Sequence, residues 1–288
     1  MSFRKLTLVL LLLGLPLSAA VAEELTQTLK RISESGVINI GYRVDQTPLS
    51  FDRGDNVAAG YSVDLCKLIA GGVVNRLDMP DLKIKFVPVT ATSRFEDIQS
   101  GKIDILCGAT TKTLSRMEKI GFTQPTFMTG GGLLSNADAP VGGVDALAGK
   151  RVAVVTNTTT IVALEAVLKA RQIDAEVVAV DSTAKGMDLL ESGQVHAFSA
   201  DQVVLIGQVI SRGGRDRYAL ADELFSFEPF ALGIARGDAD FQLVADRVLS
   251  ELNRSGKILE VYKQWFGSFG KKPPEALLAM YQLNATPR

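Results

Sequence analysis

The segment DILCGATTKTLSR, from Asp104 to Arg116, runs from an apolar stretch into a Gly/Thr turn and places an arginine five residues beyond Thr111. Hydroxyls, backbone N–H groups and a guanidinium gathered in this way suit a small carboxylate. Arginine offers a planar fork of donors, and a helix start beside it adds unpaired N–H groups and a favourable dipole. Simple Thr/Ser capping of a helix is the plainer reading of the same residues. Other chemistries find less support. No Ser/His/Asp or Cys/His set points to nucleophilic catalysis, and His196 is the only histidine. Cys66 and Cys107, the only cysteines, fit no zinc spacing, so neither a metal nor a cofactor is expected.

The scaffold begins with a processing signal. Arg4 and Lys5 precede the apolar run LTLVLLLLGL, and the small-residue stretch SAAVA ends at Ala22 before Glu23 and Glu24, which is the pattern of a cleaved secretory signal over residues 1–22. The run is short for a membrane span, and no later segment is long and apolar enough to be one. A lipid anchor would need a cysteine at the cleavage point, whereas the first cysteine is Cys66. Without Arg4 and Lys5 the chain carries 29 basic against 32 acidic residues, a formal charge of -3, and nothing suggests nucleic acid. In an oxidising compartment Cys66 and Cys107 are either a disulfide or two buried thiols, one on a helix and one on a strand.

Beyond the signal the pattern alternates. VINIGY (37–42) reads as a strand, YSVDLCKLIAGGVVNRL (61–77) as an amphipathic helix and LKIKFVPV (82–89) as a strand. A short helix around FEDIQS, the strand IDILCG and a helix starting in TKTLSRMEK follow. A second series has strands at 151–155, 175–180 and 195–200 with helices at 160–172 and through STAKGMDLLESG. This alternation implies an α/β fold with a mostly parallel sheet. DIQSGKIDIL (97–106) and DLLESGQVHAF (188–198) share a helix, Ser-Gly, strand plan, which suggests two similarly built lobes and aligns His196 with Asp104. FALGIAR (230–236) is a further strand, and 239–256 and 258–267 are helices. Pro273 and Pro274 interrupt the tail, which has no clear assignment.

Taken in order, these segments resemble the periplasmic solute-binding proteins of polar amino acid ABC transporters (family 3), and within them the glutamate/aspartate-binding branch. The resemblance runs from INIGYR, ending at Arg43, to YKQWF (262–266). It is carried by GYSVDL (60–65), Arg94 through LCGATT to Arg116, FTQP (122–125), LAGKRVAVV (147–155) and LESG (190–193). It implies a type II clamshell of two α/β lobes joined by two crossovers. The lobes would comprise 36–130 plus 229–268 and 131–228, with 269–288 as a C-terminal tail. It also implies a monomeric periplasmic receptor that closes on an amino acid and is recognised by a membrane permease.

The resemblance places the α-carboxylate on Arg116 and Thr111, with the Thr-rich turn at Thr158, Thr159 and Thr160 adding helix-terminal N–H groups from the second lobe. Asp201 matches the acid that receives the α-ammonium, and Arg43 and Arg94 match arginines near a distal carboxylate. The chain departs from the branch at Ala91 and Ala109, where serines occur, at Thr183, where a histidine occurs, and at Thr158, where a glycine occurs. Ala109 stays among the expected ligand-binding positions. The lost polar groups either weaken an acidic ligand or enlarge the pocket. Capping is the competing role for Asp201 and surface charge for Arg94. Tyr262, Trp265 and Phe266 are expected in the core, whereas Tyr61 and Phe51 could cover a ligand's aliphatic stem. Two rival functions share the fold: a secreted cyclohexadienyl-dehydratase-like enzyme, with Glu228 as its proton donor, and a receptor serving a signalling partner.

Overall fold

The computed structural model describes residues 25, 27–214, 216–267 and 272–288. The secretory signal expected over 1–22 lies outside the described residues. Among the described residues no helix is long and apolar enough to cross a membrane.

Helix α1 (Gln27–Ser35) leads into strand β1 (Val37–Tyr42), whose alternate residues Ile38 and Ile40 are fully buried. Three short strands, β2 (Asp45–Gln46), β3 (Ser50–Asp52) and β4 (Ala58–Ala59), form a small antiparallel sheet before α2 (Tyr61–Leu77). Then come β5 (Lys83–Pro88), α3 (Arg94–Gln99), β6 (Ile105–Cys107), the single turn α4 (Leu114–Met117) and β7 (Gly121–Thr129). The second series contains β8 (Gly131–Asn136), β9 (Arg151–Val155), α5 (Thr159–Ala170), β10 (Glu176–Val180), α6 (Thr183–Glu191), β11 (Ala197–Asp201), α7 (Gln202–Ser211) and β12 (Tyr218–Leu220). The chain returns through β13 (Glu228–Ile234) and ends in α8 (Ala239–Ser255), α9 (Lys257–Phe266) and α10 (Glu275–Leu283).

Two five-stranded sheets result, in the orders β5-β1-β6-β13-β7 and β10-β9-β11-β8-β12. The chain passes from the first to the second between β7 and β8, and back between β12 and β13. Each sheet is mostly parallel, as the alternation implies: four strands run one way, and one, β13 in the first sheet and β8 in the second, runs against them. The antiparallel pairings in both sheets involve the strands that flank the crossovers. Pro125 is tolerated in β7 because that strand lies on the sheet edge, where a missing N–H costs no ladder bond. At the crossover Gly130 has no room for a Cβ against the Ser226 carbonyl, so the two connecting strands touch backbone to backbone.

The first core joins α2, β1, β6, β13, α8 and α9, with an aromatic group in which Phe127 stacks on Phe266 at 5.0 Å and Tyr61 meets Phe266 edge-on at 5.4 Å. Cys66 of α2 and Cys107 of β6 are disulfide-bonded, with Cα atoms 6.4 Å apart, pinning helix to sheet. The second lobe packs two aliphatic clusters on either face of its sheet. The C-terminal tail forms α10, which buries Leu277, Met280 and Tyr281 against the first lobe and is tied by Asn284 Nδ2 to the Pro125 carbonyl at 2.7 Å. The helix expected to start in TKTLSRMEK is the single turn of α4, and Arg116 Nη1 reaches back to the Thr111 carbonyl at 2.8 Å.

Candidate functional site

The parallel strands of both sheets end at the same cleft, the usual ligand position in open α/β sheets. Arg43 follows β1 directly. Its amide donates to Ser50 Oγ at 2.9 Å and its carbonyl accepts from the same hydroxyl at 3.0 Å, clamping the turn so that the side chain, 3% exposed, points into the cleft. Nη2 donates to Asp45 Oδ1 at 3.2 Å, while Nη1 is buried with no hydrogen-bond partner among the described residues. Arg94 opens α3 and is 2% exposed, so it is no surface charge. Its Nη2 reaches across to the Asn157 carbonyl at 3.1 Å, its Nε has no partner among the described residues, and its guanidinium lies over the Phe95 ring at 4.8 Å. Arg116 covers the same ring at 5.3 Å.

The second lobe answers with a carboxylate. Asp201 ends β11 and precedes α7, but its side chain makes no capping hydrogen bond, and Oδ1 is buried without a partner. Burial, reinforced by nearby Glu228, pushes its carboxyl up to about 8 despite the opposing pull of Arg116, Arg94 and Arg43. Burial likewise lowers all three arginines, Arg94 most markedly because Arg116 and Arg43 add their own positive charges to its desolvation. Guanidinium groups keep their charge through such shifts. The result is a desolvated set of three cations facing an acid that lacks a hydrogen-bond partner.

Hydroxyls knit the hinge side. Glu228, 2% exposed at the start of β13, accepts from Thr111 Oγ1 at 2.6 Å and Thr159 Oγ1 at 2.7 Å on one oxygen, and from Ser226 Oγ at 2.7 Å on the other. Thr111 and Thr159, one from each lobe, lie 3.1 Å apart. Thr158 is used locally: its hydroxyl caps α5 through the Ile161 amide at 3.3 Å and donates to the Val155 carbonyl at 2.7 Å. The substituted positions are close by. Ala91 is buried against the second lobe's cluster, Ala109 donates its amide to Gln46 Oε1 at 3.0 Å, and Thr183 lines the cavity.

Lobe-to-lobe contacts hold the cleft shut. The Thr183 amide at the start of α6 donates to Asp45 Oδ2 at 2.8 Å, Gln208 Nε2 to the Asp45 carbonyl at 3.3 Å and Asn157 Nδ2 to Thr92 Oγ1 at 3.0 Å. Val203 and Val204 of α7 enter the first lobe's core, and Gly207 has no room for a Cβ against the Thr47 carbonyl. The enclosed space is lined by Arg43, Gln46, Thr160, Thr183, Ser199 and Asp201, among others. Its lining carries both signs of charge, in Arg43 and Asp201.

Arg43, Arg94, Thr111, Arg116, Thr159 and Asp201 therefore converge, with Ala109 beside them. Tyr61 and Phe51 do not cover the cavity. Tyr61 is fully buried, bonding the Thr126 carbonyl and Tyr281, and Phe51 packs edge-on against Trp265 at 5.7 Å. Asp45 and Gln46 were not anticipated. The available signal was spacing: residues two apart in an extended segment share a face, which sets Asp45 beside Arg43. His196 is exposed, its Nδ1 accepting the Arg151 amide at 3.0 Å.

Residues 38–268 match the family model for bacterial extracellular solute-binding proteins, family 3. The chain is 32% identical to the L-glutamate/L-aspartate-binding protein of Pseudomonas aeruginosa, over 85% of this chain and 82% of that protein. It is 28% identical to the glutamate/aspartate import solute-binding protein of Salmonella typhimurium, over 99% and 95%. The same fold occurs in the solute receptor for L-cysteine of Neisseria gonorrhoeae, with a TM-score of 0.75 and 24% identity, over 87% of this chain and 98% of that one.

Proposed function

This chain belongs to the family 3 bacterial extracellular solute-binding proteins, and we propose that it captures glutamate or aspartate in the periplasm and presents the closed complex to an ABC transporter permease. The names of its relatives from Pseudomonas aeruginosa and Salmonella typhimurium support this ligand. One observation carries the reading: Arg43 and Asp201 line one cavity, each with a buried polar atom that has no partner among the described residues, and Arg94 and Arg116 lie near enough to act on Asp201. A zwitterion requires a cation and an anion at fixed separation, because a buried charge left unpaired costs several kcal/mol.

In this reading Arg116 takes the α-carboxylate, with Thr111 and the α5 turn at Thr158 and Thr159 at its flank. Asp201 takes the α-ammonium. Arg43 and Arg94 face the side-chain carboxylate, and the backbone at Ala109 borders it. Lobes of 36–130 plus 229–268 and of 131–228 close as rigid halves about the strands around Glu228, and the leader is removed after Ala22. Glu228 is engaged by three hydroxyl groups, from Thr111, Thr159 and Ser226, in tying the two lobes together, which favours a binding protein over a dehydratase.

Thermal unfolding of the mature monomer, residues 23–288, against the twenty amino acids tests the reading. Ligand at about a hundred times its Kd adds roughly 2.7 kcal/mol of stability, a shift of several degrees for a domain of this size. Stabilisation by glutamate or aspartate is the expected result. No shift with any amino acid would overturn it.

A further inference from the structure

The ionisable groups around the cleft are Arg43, Arg94 and Arg116 on one side of the ledger of charge and Asp45, Asp201 and Glu228 on the other. Asp45 differs from its neighbours in how it is held. Its side chain is 12% exposed, one oxygen lies 3.2 Å from Arg43 Nη2, and the other accepts the Thr183 amide at 2.8 Å from the opposite lobe. Gln208 Nε2 grips the Asp45 carbonyl as well, at 3.3 Å. Moving this carboxylate aside would break bonds on both lobes at once and leave Arg43 buried without its counter-ion.

We propose that Asp45 is a specificity-determining residue that keeps Arg43 half-neutralised in the closed cleft, so that amino acids with a carboxamide side chain are accepted alongside the dicarboxylates. The proposal rests on the amino-acid receptor reading and refines its ligand class. Arg43 retains one nitrogen without a partner among the described residues, Nη1, whose N–H groups serve a neutral carbonyl as well as a carboxylate oxygen. The bidentate fork that would reward a second carboxylate is already half used by Asp45. The Ala109 amide, another donor at the cleft wall, is likewise occupied by Gln46 Oε1.

Charge balance points the same way. Once the ligand's ammonium has drawn Asp201 into its ionised form, three guanidinium groups face three carboxylates, and a zwitterion bearing a neutral side chain leaves the cleft balanced. A second ligand carboxylate adds a negative charge that nothing else there offsets. Specificity is a difference of affinities, and here a repulsive element reduces the advantage of the acidic ligand.

The test is calorimetric titration of glutamate, aspartate, glutamine and asparagine into the wild-type protein, Asp45→Asn and Asp45→Ser. Asp45→Asn keeps an acceptor for the Thr183 amide while removing the charge. Comparing two ligands on the same variant cancels any general loss of affinity. Wild type is expected to bind glutamine within about tenfold of glutamate, and Asp45→Asn to shift that ratio toward glutamate by about tenfold or more, equivalent to roughly 1.4 kcal/mol. If Asp45→Asn does not fold, Asp45→Ser reports the same ratio. Glutamate binding with a ratio unchanged in the folded variant would overturn the role of Asp45 and leave the receptor reading intact. Binding of none of the four to the wild type would overturn both.

Discussion

In the first lobe the residue before the third parallel strand, Asp104, accepts the Asn39 amide at 2.7 Å and gives its own amide to the Asn39 carbonyl at 2.8 Å. In the second lobe His196 does the same for Arg151, at 3.0 and 2.8 Å. The backbone plan is therefore repeated to the level of a single strand-end hydrogen bond, yet the surroundings diverge. Asp104 is 2% exposed and paired with Arg31, whereas His196 is exposed. At the cleft the divergence becomes a division of labour. The first lobe holds three arginines, the disulfide and the aromatic core, and the second supplies one carboxylate and two helix starts on an aliphatic core. Two copies of one topology can thus give a charged, cross-linked half and a half that completes the site on closing.

The sharpest way to break this comparison is to remove one charge from each lobe. Arg116→Ala and Asp201→Ala should each weaken amino-acid binding by about 3 kcal/mol or more, since each strands one end of a buried zwitterion. Calorimetric titration checks this, and near-native affinity in either variant would mean that its lobe contributes no essential charge. Replacing both Cys66 and Cys107 by alanine should cost about 2–4 kcal/mol of stability, because the bridge closes a long loop. Denaturant unfolding measures that loss, while the Kd should change little if the disulfide braces the lobe rather than the cleft.

The pH dependence sharpens the picture further. Ligand-free Asp201, with its carboxyl near 8, holds its proton at neutral pH, and an ammonium ligand favours the ionised form. Binding should therefore release a proton, with affinity rising from about pH 6 to 8 and levelling above, approaching tenfold per unit over that interval. Asp201→Asn should flatten the profile. For the ligand-free protein the sign is opposite to that of a salt-bridged acid. The folded state holds this proton more tightly than the unfolded chain, so its contribution to stability is present at low pH and lost as pH rises from about 4 to 8. The smallest effects test the repeat itself. Asp104→Ala should cost about 2 kcal/mol by leaving the Asn39 amide short of its acceptor and Arg31 of its partner, and His196→Ala no more than about 0.5 kcal/mol, both read from thermal unfolding.

Strong periodicity made much of the fold legible in the sequence. The strand at 151–155 and the helix at 61–77 appear with the bounds that their apolar spacing predicted. β7 and β8 escaped notice because glycine, threonine and Pro125 interrupt any alternation, and their pairing partners are distant in sequence, as in the pairs Thr129 with Glu228 of β13 and Leu134 with Phe198 of β11. The three-stranded sheet escaped because strands of two and three residues carry no period at all. At the site, Arg116 could be picked out by residue type beside the Thr-rich turn, whereas Arg43, Arg94 and Asp201 came from the resemblance to the family. Asp45 could be found in neither way, because its significance comes from an amide at the start of α6, 138 residues further along the chain.

The sequence by itself thus determined the strongly periodic elements, which follow from local period, and, through the order and spacing of its motifs, the family and the candidate arginines and carboxylate that the resemblance implies. Only the tertiary structure decided which of those charges are already spoken for. That Asp45 occupies half of Arg43, and that Glu228 gathers hydroxyls from both lobes, are facts of burial and distance. Burial and distance set the worth of a charge, because the energy of a buried ion depends on its desolvation and on what lies a few ångströms away, which the order of residues along a chain does not record.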